Sequence, residues 1–375
     1  MSKGTLGRLY TGEGGIDFIG RTKLWYSITA AALAISILLI AIRGFSLGID
    51  FEGGTKMNMP DAGYSIEQVE EVFDGATGIN PELVQVVGAG DSRMVEINSE
   101  RLTEEQISAA RSALFEKFQP KDQTGAATPD AVGDSTVSES WGSTITNRML
   151  ISMVAFLVLV FIYIMIRFER DMSIAAIAAL LVDIVVISGI YSLVGFEVTP
   201  ATVIGLLTVL SFSLYDTVVV FDKVKENTAG FEGSRRRTYA EQANLAVNQT
   251  VMRSISTTII SALPIIALMI VAVWMMGVGT LKDLALVQLI GVVEGALSSV
   301  FLATPILVSL KRRQKKMRAH EQSVLELRAG KADHGIEPEA QPVAAHKVAS
   351  VAAPASDINP VGEKKGNGRT WRPGE

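Results

Sequence analysis

Six apolar runs, at residues 24–42, 149–166, 173–195, 200–221, 250–274 and 284–310, are each long enough to cross a bilayer core, which takes about 20 helical residues. Charged residues make up only 19% of the 375 and aromatics 7%, a balance that fits long apolar stretches rather than one soluble core. The first run exceeds the core of a signal peptide, and Arg43, Gly44 and Phe45 follow it with no small-residue cleavage site. It is expected to stay as an anchor.

Orientation follows from where Lys and Arg fall. Arg21 and Lys23 precede the first run, and Arg167 and Arg170 lie between the second and third. Lys223, Lys225 and Arg235 to Arg237 lie between the fourth and fifth, and Lys311, Arg312, Arg313, Lys315 and Lys316 follow the sixth. The alternate connections carry little positive charge: Glu197 is alone in one, and Lys282 sits beside Asp283 in the other. Both termini are therefore expected on the cytoplasmic side. The segment 44–147, with 18 acidic against 6 basic residues, is expected to be a folded domain on the other side.

That segment reads as an α+β pattern. A strand at Thr55 to Met59 precedes a helix opened by Ser65 with Gln68 three residues on, a capping-box arrangement, and Ile66, Val69 and Phe73 give this helix an apolar face. Strands Val84 to Val87 and Met94 to Ile97 flank the turn composition Gly88-Ala89-Gly90-Asp91. A second helix starts at Thr103 with Gln106, and Ile107, Ala110, Leu114 and Phe118 form its buried stripe. After a polar linker over 120–135, a last strand is expected near Thr136 to Trp141. The fold class is thus a membrane all-α bundle of six transmembrane helices with an extracytoplasmic α+β domain of ferredoxin-like, βαββαβ type. Its parts are a cytoplasmic N-terminus at 1–23, a first span at 24–43, the outer domain at 44–147, the remaining bundle at 148–310, and a basic, then disordered tail at 311–375.

The residue inventory restricts the chemistry. The chain has no cysteine, and its three histidines, His320, His334 and His346, lie in the tail, so an intramembrane proton carrier must be a carboxylate. Asp216 stands inside the fourth apolar run, roughly 9 Å from the cytoplasmic boundary at 1.5 Å per residue. An ionisable group there costs at least about 2.5 kcal/mol to insert, which implies a partner or a proton. Arg253 opens the fifth run at a similar depth, so the two can meet. Contact with a cation favours the charged form of a carboxyl, and separation favours proton uptake, which makes the pair a switch. A permanent ion pair that only orients helices is the alternative. Thr257 and Thr258, with Ser256, lie one turn beyond Arg253 and can hydrogen-bond Asp216, or else pack. Asp183 and Glu294 lie near mid-membrane as second carboxylates, which either line the same path or are neutral groups held by Ser, Thr or backbone partners. Gly291 and Gly295 are spaced for close helix approach, and Thr199-Pro200 suits a helix start. No Walker-type loop appears. Arg235 to Arg237 suit lipid headgroups rather than nucleic acid.

Two stretches resemble the SecD/SecF family of protein-export membrane proteins. Gly48-Ile49-Asp50-Phe51-Glu52-Gly53-Gly54-Thr55 is similar to its GIDFxGGT signature, and Ser213-Leu214-Tyr215-Asp216-Thr217-Val218-Val219-Val220-Phe221-Asp222-Lys223-Val224-Lys225-Glu226-Asn227 is similar to the SecF form of its membrane motif. Tyr215 stands where that motif has Asn, and 253–261 follows the family's fifth-span motif only in part. The resemblance implies membership of the resistance-nodulation-division superfamily and no catalytic centre, cofactor or metal. It marks Asp216 and Arg253 as the proton-linked pair. It implies a multi-pass protein of the bacterial plasma membrane that assembles with SecD and the SecYEG channel, with YidC and YajC as further candidates, and acts on a translocating polypeptide. The expected function is use of the proton motive force in the late, SecA-independent stage of export. The alternatives are a small-molecule exporter of the same superfamily and a passive scaffold of the channel.

Overall fold

The apolar runs fold as helices longer than the runs themselves, because capped polar residues extend them. This computed structural model describes residues 16–329 apart from 89, 123, 231, 232, 234, 235 and 276–278. Helix α1 (Thr22–Arg43) leads to strand β1 (Ser46–Leu47) and the short helix α2 (Ile49–Glu52). The α+β domain then runs β2 (Gly54–Pro60), α3 (Ile66–Thr77), β3 (Leu83–Val87), β4 (Met94–Ser99), α4 (Glu104–Phe118) and β5 (Gly133–Val137). The bundle resumes with α5 (Glu139–Arg167) and α6 (Arg170–Val194), followed by β6 (Glu197–Val198). Next come α7 (Pro200–Asn227), α8 (Tyr239–Leu268) with a π-helical turn at Met269–Met275, and α9 (Gly279–Ser298). A π turn at Ser299–Ala303 joins α9 to α10 (Thr304–Arg313), and α11 (Lys315–Arg328) follows. Among the described residues six helical stretches are long and apolar enough to cross a membrane.

Start signals in the sequence explain several boundaries. Thr199 and Thr202 cap each other reciprocally on either side of Pro200, and Thr238 with Glu241 does the same for α8. The second cap makes the polar stretch before residue 250 helical, so α8 begins well before its apolar run. Thr103 and Gln106 form the expected box, whereas Ser65 supplies one half, accepting from the Gln68 backbone N–H at 3.2 Å.

The domain's sheet has the order β3-β4-β2-β5, every pair antiparallel, with Thr55 opposite both Ser99 and Thr136. Helices α3 and α4 connect β2 to β3 and β4 to β5, the split βαβ connectivity. Met57, Met59, Val69, Phe73, Ile97 and Leu114 fill its core. Full burial of such side chains contributes about 1.5–3 kcal/mol each. Three expectations change, two in this domain and one in the tail. Ile66 is exposed while Val69 and Phe73 face inward. The last strand is Gly133–Val137, and Trp141 belongs to α5, because Ser138 adopts extended backbone and ends the strand as the N-cap of that helix. The tail is helical through Arg328, where disorder was expected beyond about residue 318. Arg312 pairs with Glu321, Arg328 Nη1 contacts Glu241 Oε1 at 2.7 Å, and Met317 and Val324 are buried. His334 and His346 lie outside the described residues.

The Gly53-Gly54 turn couples domain to bundle. Gly53 has φ +85°, and a Cβ there would lie 2.8 Å from the Glu139 backbone nitrogen at the start of α5. Only glycine permits both the positive φ and this approach.

Candidate functional site

Helix α7 buries one stripe, Ser213, Asp216, Thr217 and Val220, at the three- and four-residue spacing that keeps side chains on one face. Asp216 is 7% exposed within an apolar span. Arg253, on α8, is exposed on the bundle surface beside it. Among the described residues the two form no ion pair, although Arg253 acts on Asp216 electrostatically and Ser254 faces the carboxyl. Instead the Arg253 guanidinium donates to Tyr215 Oη at 2.9 Å. Tyr215, the departure from the family motif, is therefore the partner of the arginine, and sequence reasoning gave it no role. Its adjacency to Asp216 was the available signal.

Thr257 and Thr258 lie where the sequence placed them, one turn beyond Arg253. Their hydroxyls donate to backbone, Thr257 to the Arg253 carbonyl at 2.9 Å and Thr258 to the Ser254 carbonyl at 2.7 Å. With Ser213, Asp216 and Ser261 they line a cavity of about 10 Å³. That is close to the least volume that holds one water. Ser254 is 2% exposed, with its hydroxyl turned toward the Asp216 carboxyl. Asp216 thus sits in a small polar chamber with a cation nearby that is engaged elsewhere. Such a chamber can hold a proton on the carboxyl, or lose it to water when a guanidinium approaches as counter-charge.

Asp183 and Glu294 form a separate group. Asp183, on α6, is 1% exposed, and Ser213 Oγ donates to its Oδ2 at 2.6 Å. Glu294, on α9, acts on it electrostatically. Gly295 allows the approach of α9 to α7, since a Cβ there would lie 2.7 Å from Ser213 Cβ. A side chain at Gly291 would likewise collide with Val209.

The remaining motif residues hold the framework. Gly48 N–H donates to the Val198 carbonyl at 2.9 Å, beside the β1–β6 pairing. Asp50 stands in the first turn of α2, and Gly53 with Gly54 makes the turn into β2. Asp222 pairs with Arg167 at 3.3 Å, and Asn227 Nδ2 donates to Gln249 Oε1 at 3.0 Å. None of these touches Asp216.

Comparison with known proteins places this geometry. The family described as protein export membrane protein SecD/SecF, C-terminal, matches residues 120–313, and the SecD/SecF GG motif matches residues 38–60. The chain is 54% identical over 345 residues to protein translocase subunit SecF of Mycobacterium tuberculosis, covering 91% of this chain and 78% of that one. It is 40% identical to protein translocase subunit SecF of Streptomyces coelicolor, covering 89% of this chain and 88% of the relative. The crystal structure of SecDF, a translocon-associated membrane protein from Thermus thermophilus, superposes with a TM-score of 0.68 at 25% identity. That match covers 80% of this chain and 39% of the longer SecDF chain.

Proposed function

This chain belongs to the SecD/SecF family of protein-export membrane proteins, and from that premise we propose that it is the SecF-type subunit that draws on the proton motive force. The force promotes the late, SecA-independent stage of translocation across the bacterial plasma membrane. The observation that carries this reading is Asp216, a carboxyl 7% exposed in an apolar span, with the nearby Arg253 guanidinium bonded to Tyr215. A charge held that deep with no ion pair is unfavourable, and a proton removes it. Movement of Arg253 from Tyr215 to Asp216 supplies a counter-charge in place of the proton and returns it. The chamber lined by Thr257, Thr258 and Ser261 gives the proton a polar route.

The magnitudes suffice. One charge crossing 100 mV corresponds to about 2.3 kcal/mol. Each unit of pH difference adds about 1.4 kcal/mol. A few protons bias a movement of helices by several kcal/mol.

In this reading both termini are cytoplasmic, and the ferredoxin-like domain, whose strand order supports that assignment, lies outside where polypeptide emerges. The basic residues in the last turn of α10 support that orientation. SecD is the partner within the membrane, and the SecYEG channel, with YidC and YajC beyond it, delivers the polypeptide. Translocation intermediates arrested in inverted vesicles after SecA is depleted test this directly. An imposed proton gradient is expected to complete their export when the chain and SecD are present, and an ionophore to stop it. Completion that is equally fast without a gradient would contradict the proposal.

A further inference from the structure

A second buried carboxyl lies across α7 from the Asp216 chamber. Asp183 Oδ2 accepts from Ser213 Oγ at 2.6 Å, while Oδ1 is buried with no hydrogen-bond partner. Ser298, on α9, turns its buried hydroxyl toward the same carboxyl. Asp183 and Ser298 are 1% and 4% exposed. A carboxyl buried among hydroxyls in apolar surroundings is held at less cost with its proton than as a charge.

The charges around Asp183 point the same way. Helix α1 carries its cations at its ends, Lys23 and Arg43, and Arg43 donates to the Leu193 carbonyl at 2.7 Å. Helix α5 has Arg148 before its apolar run and Arg167 at its end, the latter paired with Asp222. On α6 itself Arg170 and Asp171 lie in the first turn, on α7 the charges are Asp216 and the groups from Asp222 onward, and Lys311 of α10 pairs with Glu169. Among the described residues the charged group that acts on Asp183 is Glu294, a second carboxyl. An ionised Asp183 would have hydroxyls as its side-chain donors, no cation among the described residues and a second carboxyl beside it. A proton on Oδ1 removes the repulsion and donates to Ser298 Oγ.

Access is built in. Glu294 and Ser298, one turn apart on α9, line a cavity of about 220 Å³ with Trp25 and Thr29 of α1 and Val186 of α6. On the other side Ser213 belongs both to the Asp183 hydrogen bond and to the wall of the Asp216 chamber.

We propose that Asp183 is a second proton-binding carboxyl of the bundle, reached through Glu294 and Ser298 from the cavity between α1, α6 and α9, and joined through Ser213 to the helix that carries Asp216. Its use in export rests on the function proposed above, whereas its occupancy by a proton is measured separately. The experiment is infrared difference spectroscopy of the full chain in lipid vesicles across a pH step, reading the carbonyl stretch of protonated carboxyl groups. Asp183→Asn is expected to remove one pH-responsive band that Asp216→Asn leaves in place. Ser298→Ala and Ser213→Ala are expected to shift that band, since each alters one hydrogen bond to the carboxyl. These two variants keep the test open if Asp183→Asn does not fold. A spectrum unchanged by Asp183→Asn, or a band unmoved in both serine variants, would overturn the proposal. Export that keeps its gradient dependence in Asp216→Asn defeats the function proposed for that residue and leaves the Asp183 band untouched.

Discussion

Tyr215 precedes Asp216 on α7 and accepts from the Arg253 guanidinium at 2.9 Å, so it decides where that cation rests. Removing its hydroxyl frees the guanidinium to fall onto Asp216. A hydrogen bond to a charged group is worth about 1.5–3 kcal/mol, and this half-exposed one belongs at the low end. Tyr215→Phe is therefore expected to lower gradient-driven export about tenfold with the chain still present in the membrane, and Tyr215→Asn to recover part of the loss. Equal export rates for Tyr215→Phe and the unaltered chain would contradict this. The sequence disclosed Asp216 because a carboxylate inside an apolar run is costly without a partner or a proton, and Arg253 because it sits at matching depth. Ser213, Ser254 and Ser298 were silent for the opposite reason. A small hydroxyl in a membrane helix usually packs, and its partner is visible only once three helices are set side by side.

At the scale of elements, apolar length and capping made the helices readable, while two segments escaped because neither signal reached them. Strand β5 has a mostly exposed burial pattern and no alternation; its place comes from pairing with β2, Gly54 opposite Val137 and Asn58 opposite Gly133. Helix α11 is polar, and tertiary ion pairs such as Arg328 with Glu241 hold it. The glycine pair was readable as part of a family signature, but its closeness to α5 was not. Gly53→Ala forces a side chain into positive φ and against the backbone of Glu139. Strain of this kind costs about 1–3 kcal/mol, so the variant is expected to unfold at a lower temperature in detergent and to accumulate less in the membrane. An unaltered midpoint would mean that α5 yields to the new methyl group.

Across the whole molecule the domain and the bundle are tied together at a few polar points. Lys56 on β2 meets Glu197 at 3.4 Å, Lys282 Nζ at the start of the last span donates to Gln85 Oε1 on β3 at 2.9 Å, and the Ser92 hydroxyl contacts the Met275 carbonyl. Glu197 is the most buried of these groups, at 4% exposure, and it sits in β6 between α6 and α7. In the proposed cycle, a shift of α7 on proton exchange at Asp216 would reach β2 through the Glu197–Lys56 contact. Glu197→Ala is expected to quicken hydrogen exchange in β2 and β6 about tenfold, since it leaves Lys56 without its partner at a partly buried site. Unchanged protection would place the coupling elsewhere. The central claim is the proton on Asp216, and its most direct measurement is gradient-dependent export by vesicles containing SecD and the Asp216→Asn variant. Neutralising that carboxyl is expected to abolish the response to an imposed proton gradient while the chain remains folded and assembled. A full response in that variant would contradict the claim.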